Sequence, residues 1–185
     1  MSNMSEEKRE KKESSDTVTE VLKMTCKKGC CNYSIIPYRQ HYYNNNVSLI
    51  QNKIKKAGSF IYNTELNKVL LVQSRGQMWG PPKGTMKPDE SVLDCAIREV
   101  KEETGIELSE TNFLGEIVIK SKALYYFSER DIEEITPQTN VEDNDANGIG
   151  WFDIECLNDL IQDGKIFITQ HCRILIKKIF NKDML

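Results

Sequence analysis

Residues 84–106 read GTMKPDESVLDCAIREVKEETGI, and this stretch decides how the rest of the sequence is interpreted. Asp89 or Ser91 can cap a helix that runs to about Thr104, and Gly105 stands where a glycine that ends a helix belongs. At about 100° per residue, several apolar residues fall on one side of this helix. They are Leu93, Ala96, Ile97 and Val100. This side is therefore predicted to pack on a core.

Three glutamates, Glu99, Glu102 and Glu103, fall on an adjacent side of the same helix. Like charges at such spacings repel and destabilise a helix by roughly a few tenths of a kcal/mol per pair. Three convergent carboxylates make physical sense around a hard divalent cation, Mg²⁺ or Mn²⁺, which prefers oxygen ligands. From charge alone, a solvated acidic helix face is the alternative interpretation.

The full pattern of the stretch favours a metal site over a solvated acidic helix face. Gly84, Glu90 and seven residues of the run Arg98–Ile106 (REVKEETGI), all but Lys101 and Thr104, match nine specified positions in 23 residues and resemble the Nudix box. The resemblance extends over roughly residues 57–155. It implies an α/β/α sandwich around a mixed β-sheet, with the box as loop–helix–loop. It also implies hydrolysis of a nucleoside diphosphate linked to another moiety, with Mg²⁺ or Mn²⁺ as cofactor.

The resemblance also implies roles for the residues of the box. Glu99 and Glu103 correspond to the principal metal ligands, and the carbonyl of Gly84 can reach a metal in such folds. Glu102 resembles a third ligand or the base that acts on the attacking water. In this chemistry, the metal ions neutralise the charge of the pyrophosphate oxygens and lower the pKa of a bound water. Positioning and electrostatic stabilisation then supply most of the rate.

Supporting residues follow from the same resemblance. Glu90 resembles a carboxylate that supports the site from the start of the helix, and Arg98 would hold a glutamate in position. The family also uses an acidic residue six positions before a late tryptophan, which gives Asp145 here. Asp145 is predicted to be a fourth, catalytic carboxylate, with Glu142 and Asp143 as rivals in the same loop.

Two flanking motifs narrow the substrate class. The runs Trp79–Gly84 (WGPPKG) and Asp94–Val100 (DCAIREV) are similar to those of the mRNA-decapping Nudix enzymes. Lys83 would then reach a phosphate as a point charge. Trp79 would stack a base, with a place in the core as the alternative. Similar WGxPKG stretches occur in relatives acting on diadenosine polyphosphates and diphosphoinositol polyphosphates, so these substrates stay open.

The charge distribution supports a polyanionic substrate. The net charge of −3 hides a basic block, residues 21–64, with 7 basic and no acidic side chains. It also hides an acidic block, residues 131–164, with 10 acidic and no basic ones. The basic block contains tyrosines too, and cations with aromatics are the composition of a surface that binds single-stranded nucleic acid. A solvated face with tyrosines in the core is the alternative.

Three regions are predicted along the 185 residues: a disordered charged tail (1–20), a basic aromatic-containing extension packed on the domain (21–56) and a Nudix hydrolase domain (57–185). Patterning predicts the elements. Strands are expected near 33–38 and at 59–63, 68–73, 113–119, 123–128 and 150–153, helices at 154–162 and 168–181, and an acidic loop at 131–148.

The N-terminal residues show no apolar run of a secretory signal, and no segment has 18 consecutive apolar residues. We therefore expect a cytoplasmic protein without a membrane partner, whose six cysteines are free thiols. Cys26, Cys30 and Cys31 lie close together in the sequence. Their spacing is not CxxC, no second pair follows and His41 is the one nearby histidine, so zinc is disfavoured.

The resulting expectation is a metal-dependent Nudix pyrophosphohydrolase that cleaves the 5′ cap of mRNA and releases m7GDP. A dinucleoside or diphosphoinositol polyphosphate hydrolase is the alternative. A non-catalytic Nudix-like binding module is a third hypothesis, disfavoured because such modules usually lose glutamates of the box and this sequence keeps them.

Overall fold

The fold is built on one mixed β-sheet, seen in a computed structural model that describes residues 21–36, 54–74, 77–120, 122–132, 135, 137–138 and 146–184. The strands in this part of the chain are β1 Leu22–Thr25, β2 Asn32–Ile35, β3 Lys56–Asn63, β4 Lys68–Ser74, β5 Met78–Gly80, β6 Lys83–Thr85, β7 Gly115–Ile119, β8 Ala123–Glu129, β9 Gly148–Asp153 and β10 Phe167–Ile168. The helices are α1 Val92–Thr104, α2 Ile154–Gln162 and α3 Gln170–Phe180, with a 3₁₀ turn at Glu110–Asn112.

The strand order is β1-β2-β9-β4-β3-β8-β7. The central pair β3–β8 is parallel, whereas β2–β9, β9–β4, β4–β3 and β8–β7 are antiparallel. The short strands attach at the sides: β5 pairs with β4 and β10, and β6 pairs with the start of β3. A mixed sheet of this kind needs a helical layer on each face to bury both sides.

Alternate residues of β3 and β4 point to the two faces, as the period of a strand requires. Phe60 and Leu71 belong to one core cluster, which also contains Leu157 of α2 and Leu175 of α3. The neighbouring residues on these strands belong to a second cluster with Val100 of α1. The predicted α/β/α sandwich is therefore confirmed, with α1 on one face and α2 and α3 on the other.

The local signals of the box helix predicted its bounds. The Ser91 hydroxyl accepts a hydrogen bond from the Asp94 N–H, and Gly105 ends the helix at φ +77°. The β3–β4 hairpin likewise turns at 64–67, as expected.

Three predictions differ from the structure. The sequence predicted one strand near 33–38, but β2 covers Asn32–Ile35 and a further strand, β1, precedes it. The strand expected at 113–119 begins only at Gly115. The last helix was expected over 168–181 but begins only at Gln170, because Phe167 and Ile168 pair with β5.

Several predictions lie outside the described residues, among them the disordered tail at 1–20 and most of the acidic loop. Within the described part of the chain, no helix is long and apolar enough to cross a membrane.

Candidate active site

The box helix presents its glutamates at its junction with the sheet. Cys95, Ala96 and Val100 are fully buried beneath α1, and this packing fixes the rotation of the helix. Glu103 lies close to the same buried side and is only 3% exposed. Its Oε2 accepts a hydrogen bond from the backbone N–H of Lys83 at 2.8 Å. A buried carboxylate therefore has a fixed donor from the first residue of β6.

Arg98 is the centre of the site. Its Nε and Nη2 donate to the two oxygens of Glu90 at 2.6 and 2.9 Å, a bidentate pair. Its Nη1 donates to Glu99 at 2.7 Å and to Glu102 at 2.9 Å. The Arg98 hydrogen bonds hold the pKa of Glu90 below its usual value, and Glu90 in turn raises the pKa of Arg98. One guanidinium thus gathers three of the carboxylates that the sequence singled out.

Gly84 is required by a close approach of Glu99. A Cβ on residue 84 would lie 2.0 Å from the carboxylate carbon and from both oxygens of Glu99. Only a residue without a side chain leaves room for this carboxylate over the backbone of β6. The structure therefore brings Gly84 and Glu99 together, as the box resemblance implied.

The donor set fits a hard cation, since it consists of carboxylate oxygens and the nearby backbone of Gly84. The residues that would hold it are Gly84, Glu99, Glu102 and Glu103. However, one oxygen from each of Glu99, Glu102 and Glu103 cannot be chosen so that all three lie within 4.8 Å of one another. Among the described residues, only a set of cysteines meets that spacing. Arg98 binds Glu99 and Glu102 together through Nη1, whereas the Lys83 N–H binds Glu103.

A basic rim lies beside the glutamates, and the sequence analysis missed part of it. His171 on α3 shares a 2.9 Å hydrogen bond with the Tyr125 hydroxyl through Nδ1. Burial lowers the pKa of His171, and the charges of Lys83, Lys120 and Lys56 lower it further. Strand pairing places these lysines at one end of the sheet: Lys83 pairs with Gly58 on β3, Lys56 pairs with Ala123 on β8, and Lys120 lies in the β7–β8 turn. No local pattern marks His171, because its position depends on how α3 packs on the sheet.

Trp79 lies in the core rather than at an open surface. It is 2% exposed, and its ring centroid lies 5.0 Å from that of Phe152 and 5.7 Å from that of Tyr33, both in edge-on geometry. This placement matches the core alternative, because neither ring face is accessible to a base. The predicted fourth carboxylate, Asp145, and its rivals Glu142 and Asp143 lie outside the described residues.

The basic block divides between the two ends of the sheet. Lys56 pairs with Thr85 and Ala123 at the start of β3, close to the box. Lys28 lies in the β1–β2 turn and pairs with Asp159 of α2 at 2.7 Å. The tyrosines of this block that were considered for base binding are Tyr33, Tyr38, Tyr42 and Tyr43. Tyr33 stacks on Phe152 at 5.3 Å, and the other three lie outside the described residues.

The NUDIX domain model matches residues 53–170, which is more than half of the chain. The protein therefore belongs to the Nudix family, and the predicted family, fold and hydrolase class are confirmed. Nudix hydrolases act on pyrophosphate bonds and generally need divalent cations such as Mg²⁺ or Mn²⁺.

Individual proteins add detail. The chain is 36% identical over 152 residues to the putative hydrolase 111R of Invertebrate iridescent virus 3, covering 80% of this chain and 88% of that one. It is 32% identical over 126 residues to the m7GpppN-mRNA hydrolase of Saccharomyces cerevisiae, covering 64% of this chain but only 13% of the yeast protein. The solved structure of DR0079 from Deinococcus radiodurans aligns with a TM-score of 0.54 at 15% identity, over 87% of this chain and 99% of that one, and shows the shared fold.

Proposed function

We propose that this Nudix hydrolase cleaves the pyrophosphate bridge of capped RNA with Mg²⁺ or Mn²⁺ and releases m7GDP. The Arg98 network is the observation that supports this reaction. In it, one guanidinium binds the carboxylates of Glu90, Glu99 and Glu102. Gly84, which has no side chain, leaves room for the Glu99 carboxylate. Carboxylates gathered in this way can bind a divalent cation, and the cation in turn can bind the phosphates of the substrate.

The chemistry follows from the charges. Glu99, Glu102, Glu103 and the Gly84 carbonyl would hold the Mg²⁺ or Mn²⁺, which would neutralise the pyrophosphate oxygens and lower the pKa of the attacking water. Glu102 or Glu103 takes the proton of that water, in keeping with a carboxylate base. The water oxygen bonds to one phosphorus, the bridging P–O bond breaks, and the leaving phosphate keeps the electron pair. Arg98 keeps the carboxylates in place, so its contribution is orientation.

The basic rim supplies a place for the remaining phosphates. Lys83 is anchored through its backbone to Glu103, so its side chain starts directly beside a buried carboxylate. Lys56 and Lys120 add charge around His171. We infer that these lysines receive the phosphates next to the bond that is cleaved, while the RNA chain continues away from the box.

The assignment of capped RNA rests on the WGPPKG and DCAIREV motifs and on the similarity to the yeast m7GpppN-mRNA hydrolase over 126 residues. Because Lys28 pairs with Asp159 away from the box, we place the RNA path at Lys56 rather than along the whole basic block. Asp145 remains our proposed fourth carboxylate on sequence grounds, and a cytoplasmic location suits this substrate.

A substrate panel tests the proposal. Capped RNA, diadenosine tetraphosphate and a diphosphoinositol polyphosphate are incubated with the protein and Mg²⁺ or Mn²⁺, and kcat/KM is compared. We expect capped RNA to be preferred, with kcat/KM rising with RNA length and falling with added salt as phosphate contacts are screened. Equal or faster cleavage of a small polyphosphate would contradict the RNA assignment while leaving the reaction class intact.

A further inference from the structure

Four cysteine sulfurs meet at the end of the sheet that lies away from the box. Cys26 follows β1, Cys30 and Cys31 precede β2, and Cys156 lies in the first turn of α2. Their sulfur atoms all lie within 4.8 Å of one another. The sequence analysis considered only the first three, because nothing local connects them with a residue so far along the chain.

The spacing of the sulfurs matches a tetrahedral metal site. Four thiolates about 2.3 Å from a zinc ion lie about 3.8 Å from one another. Here the Sγ atoms of Cys26 and Cys30 are 3.5 Å apart, and those of Cys30 and Cys31 are 3.9 Å apart. A disulfide needs about 2.05 Å, and all six cysteines are free thiols.

The backbone around the sulfurs is arranged to hold them. Gly29 turns the hairpin at φ +74°, and the Cys31 N–H donates to the Cys26 sulfur at 3.4 Å. The Asp153 carboxylate caps α2 by accepting the Cys156 N–H at 2.9 Å, which fixes where this thiol starts. N–H groups directed at sulfur favour the thiolate form, which is the form that binds metal.

Packing alone explains a single buried cysteine, since a thiol behaves as a small apolar group. Cys172 is such a case: it is fully buried in α3 and is not part of the sulfur group. Four thiols contributed by a hairpin turn and a helix need another explanation. Packing alone does not require cysteine at all four positions, because other apolar side chains could fill the same space. Four sulfur donors at tetrahedral spacing select Zn²⁺ among the common cations.

We propose that Cys26, Cys30, Cys31 and Cys156 bind one structural Zn²⁺, which fastens the β1–β2 hairpin to α2. Four protein ligands close the coordination sphere, so the ion has no open position for a substrate. Binding releases the thiol protons to solvent. The site is separate from the box: Asp153, next to α2, pairs with Lys68 at the β3–β4 turn, whereas Gly84 pairs with Ala57 near the start of β3.

The ion would stabilise the β1 side of the hairpin, which has fewer described contacts than β2, the strand that pairs with β9. All four residues of β1 are exposed, and among the described strands β1 pairs only with β2. The Lys28–Asp159 pair spans hairpin and helix, but its side chains are 65% and 55% exposed, and exposed pairs contribute little.

The test measures metal in the purified full-length chain. Protein expressed with zinc in the medium is passed through a desalting column, and bound zinc is measured by mass spectrometry. We expect one zinc per chain in the wild type and in Cys172→Ala, the control for a buried thiol elsewhere. Cys156→Ser should lower the zinc content by about tenfold or more. Glu103→Gln should keep the zinc, since it alters the box instead.

A second measurement guards against a variant that fails to fold. The wild-type chain is stripped of metal and titrated with Co²⁺ alone. We expect the strong visible bands of tetrahedral cobalt and thiolate-to-cobalt charge transfer, both saturating at one equivalent and both displaced by Zn²⁺. A wild-type chain that retains no zinc and gives only weak octahedral cobalt bands would overturn the proposal, as would undiminished zinc in Cys156→Ser.

Discussion

The backbone N–H of Lys83 donates a 2.8 Å hydrogen bond to Oε2 of Glu103. This bond joins the start of β6 to the most deeply buried glutamate of α1, which is 3% exposed. The same contact therefore positions the Glu103 carboxylate and the Lys83 side chain, which we propose as a phosphate contact. A shift of β6 would move both groups together.

Arg98→Lys tests whether the guanidinium orients the carboxylates. Lysine has no planar fork and cannot make the bidentate pair with Glu90 while also reaching Glu99 and Glu102. We expect activity to fall by about 10–100-fold and the Mg²⁺ concentration for half-maximal rate to rise, as for other residues that orient ligands. Arg173→Lys is the control, because Arg173 donates instead to the carbonyl of Met184. An unchanged Mg²⁺ dependence would contradict the orienting role.

Gly84→Ala tests the close approach of Glu99. The new methyl group would stand 2.0 Å from that carboxylate, so Glu99 must move away. We expect a loss of at least about tenfold in kcat, as misplaced catalytic groups cause, with circular dichroism unchanged. In Gly115→Ala the added carbon meets only Phe127 at 3.8 Å, so this control should keep its activity. Full activity in Gly84→Ala would rule out Glu99 in its observed position as a ligand.

Lys83→Met tests the phosphate contact. The backbone bond to Glu103 persists in this variant, so the change removes only the charge of the side chain. We expect kcat/KM on capped RNA to fall by about tenfold or more and its dependence on salt to become less steep. Lys101→Met removes an exposed lysine that pairs with Glu107 and should leave both quantities as they are. Identical salt dependence in the two variants would exclude Lys83 from the substrate path.

His171→Gln tests the partly buried histidine through its effect on stability. The pKa of His171 is lowered in the folded protein by burial and by the neighbouring lysines. As the pH falls below about 6.5, His171 therefore becomes protonated in the unfolded chain but stays neutral in the folded protein. The free energy of unfolding decreases until the pH falls below the folded-state pKa of His171. Thermal unfolding at about pH 8 and about pH 5 should show a larger drop for the wild type than for the variant. Equal drops would refute the lowered pKa.

Local signals predicted the box helix well. A capping serine, an apolar side and a closing glycine lie within residues 91–105, so the bounds of α1 could be inferred without tertiary information. The roles of Arg98 and Gly84 came from the family resemblance, and the structure adds their contacts with Glu99.

What the sequence could not provide depends on distant contacts. Cys156 joins the other cysteines only because α2 follows β9, and β9 pairs with β2. The burial of Trp79 likewise depends on Phe152 and Tyr33, which come from separate strands. Neither relationship leaves a periodic pattern that a single sequence can reveal.

The most direct test of the proposed reaction compares the wild type with Glu103→Gln on RNA labelled in its cap. The glutamine oxygen can still accept the Lys83 N–H, so the fold should persist while the negative charge is lost. We predict Mg²⁺- or Mn²⁺-dependent release of m7GDP by the wild type and a rate reduced by about 10²–10⁴-fold in the variant. Glu107→Gln, at an exposed glutamate beyond the helix, should behave as the wild type. Near-normal m7GDP release by a folded Glu103→Gln variant would contradict the account.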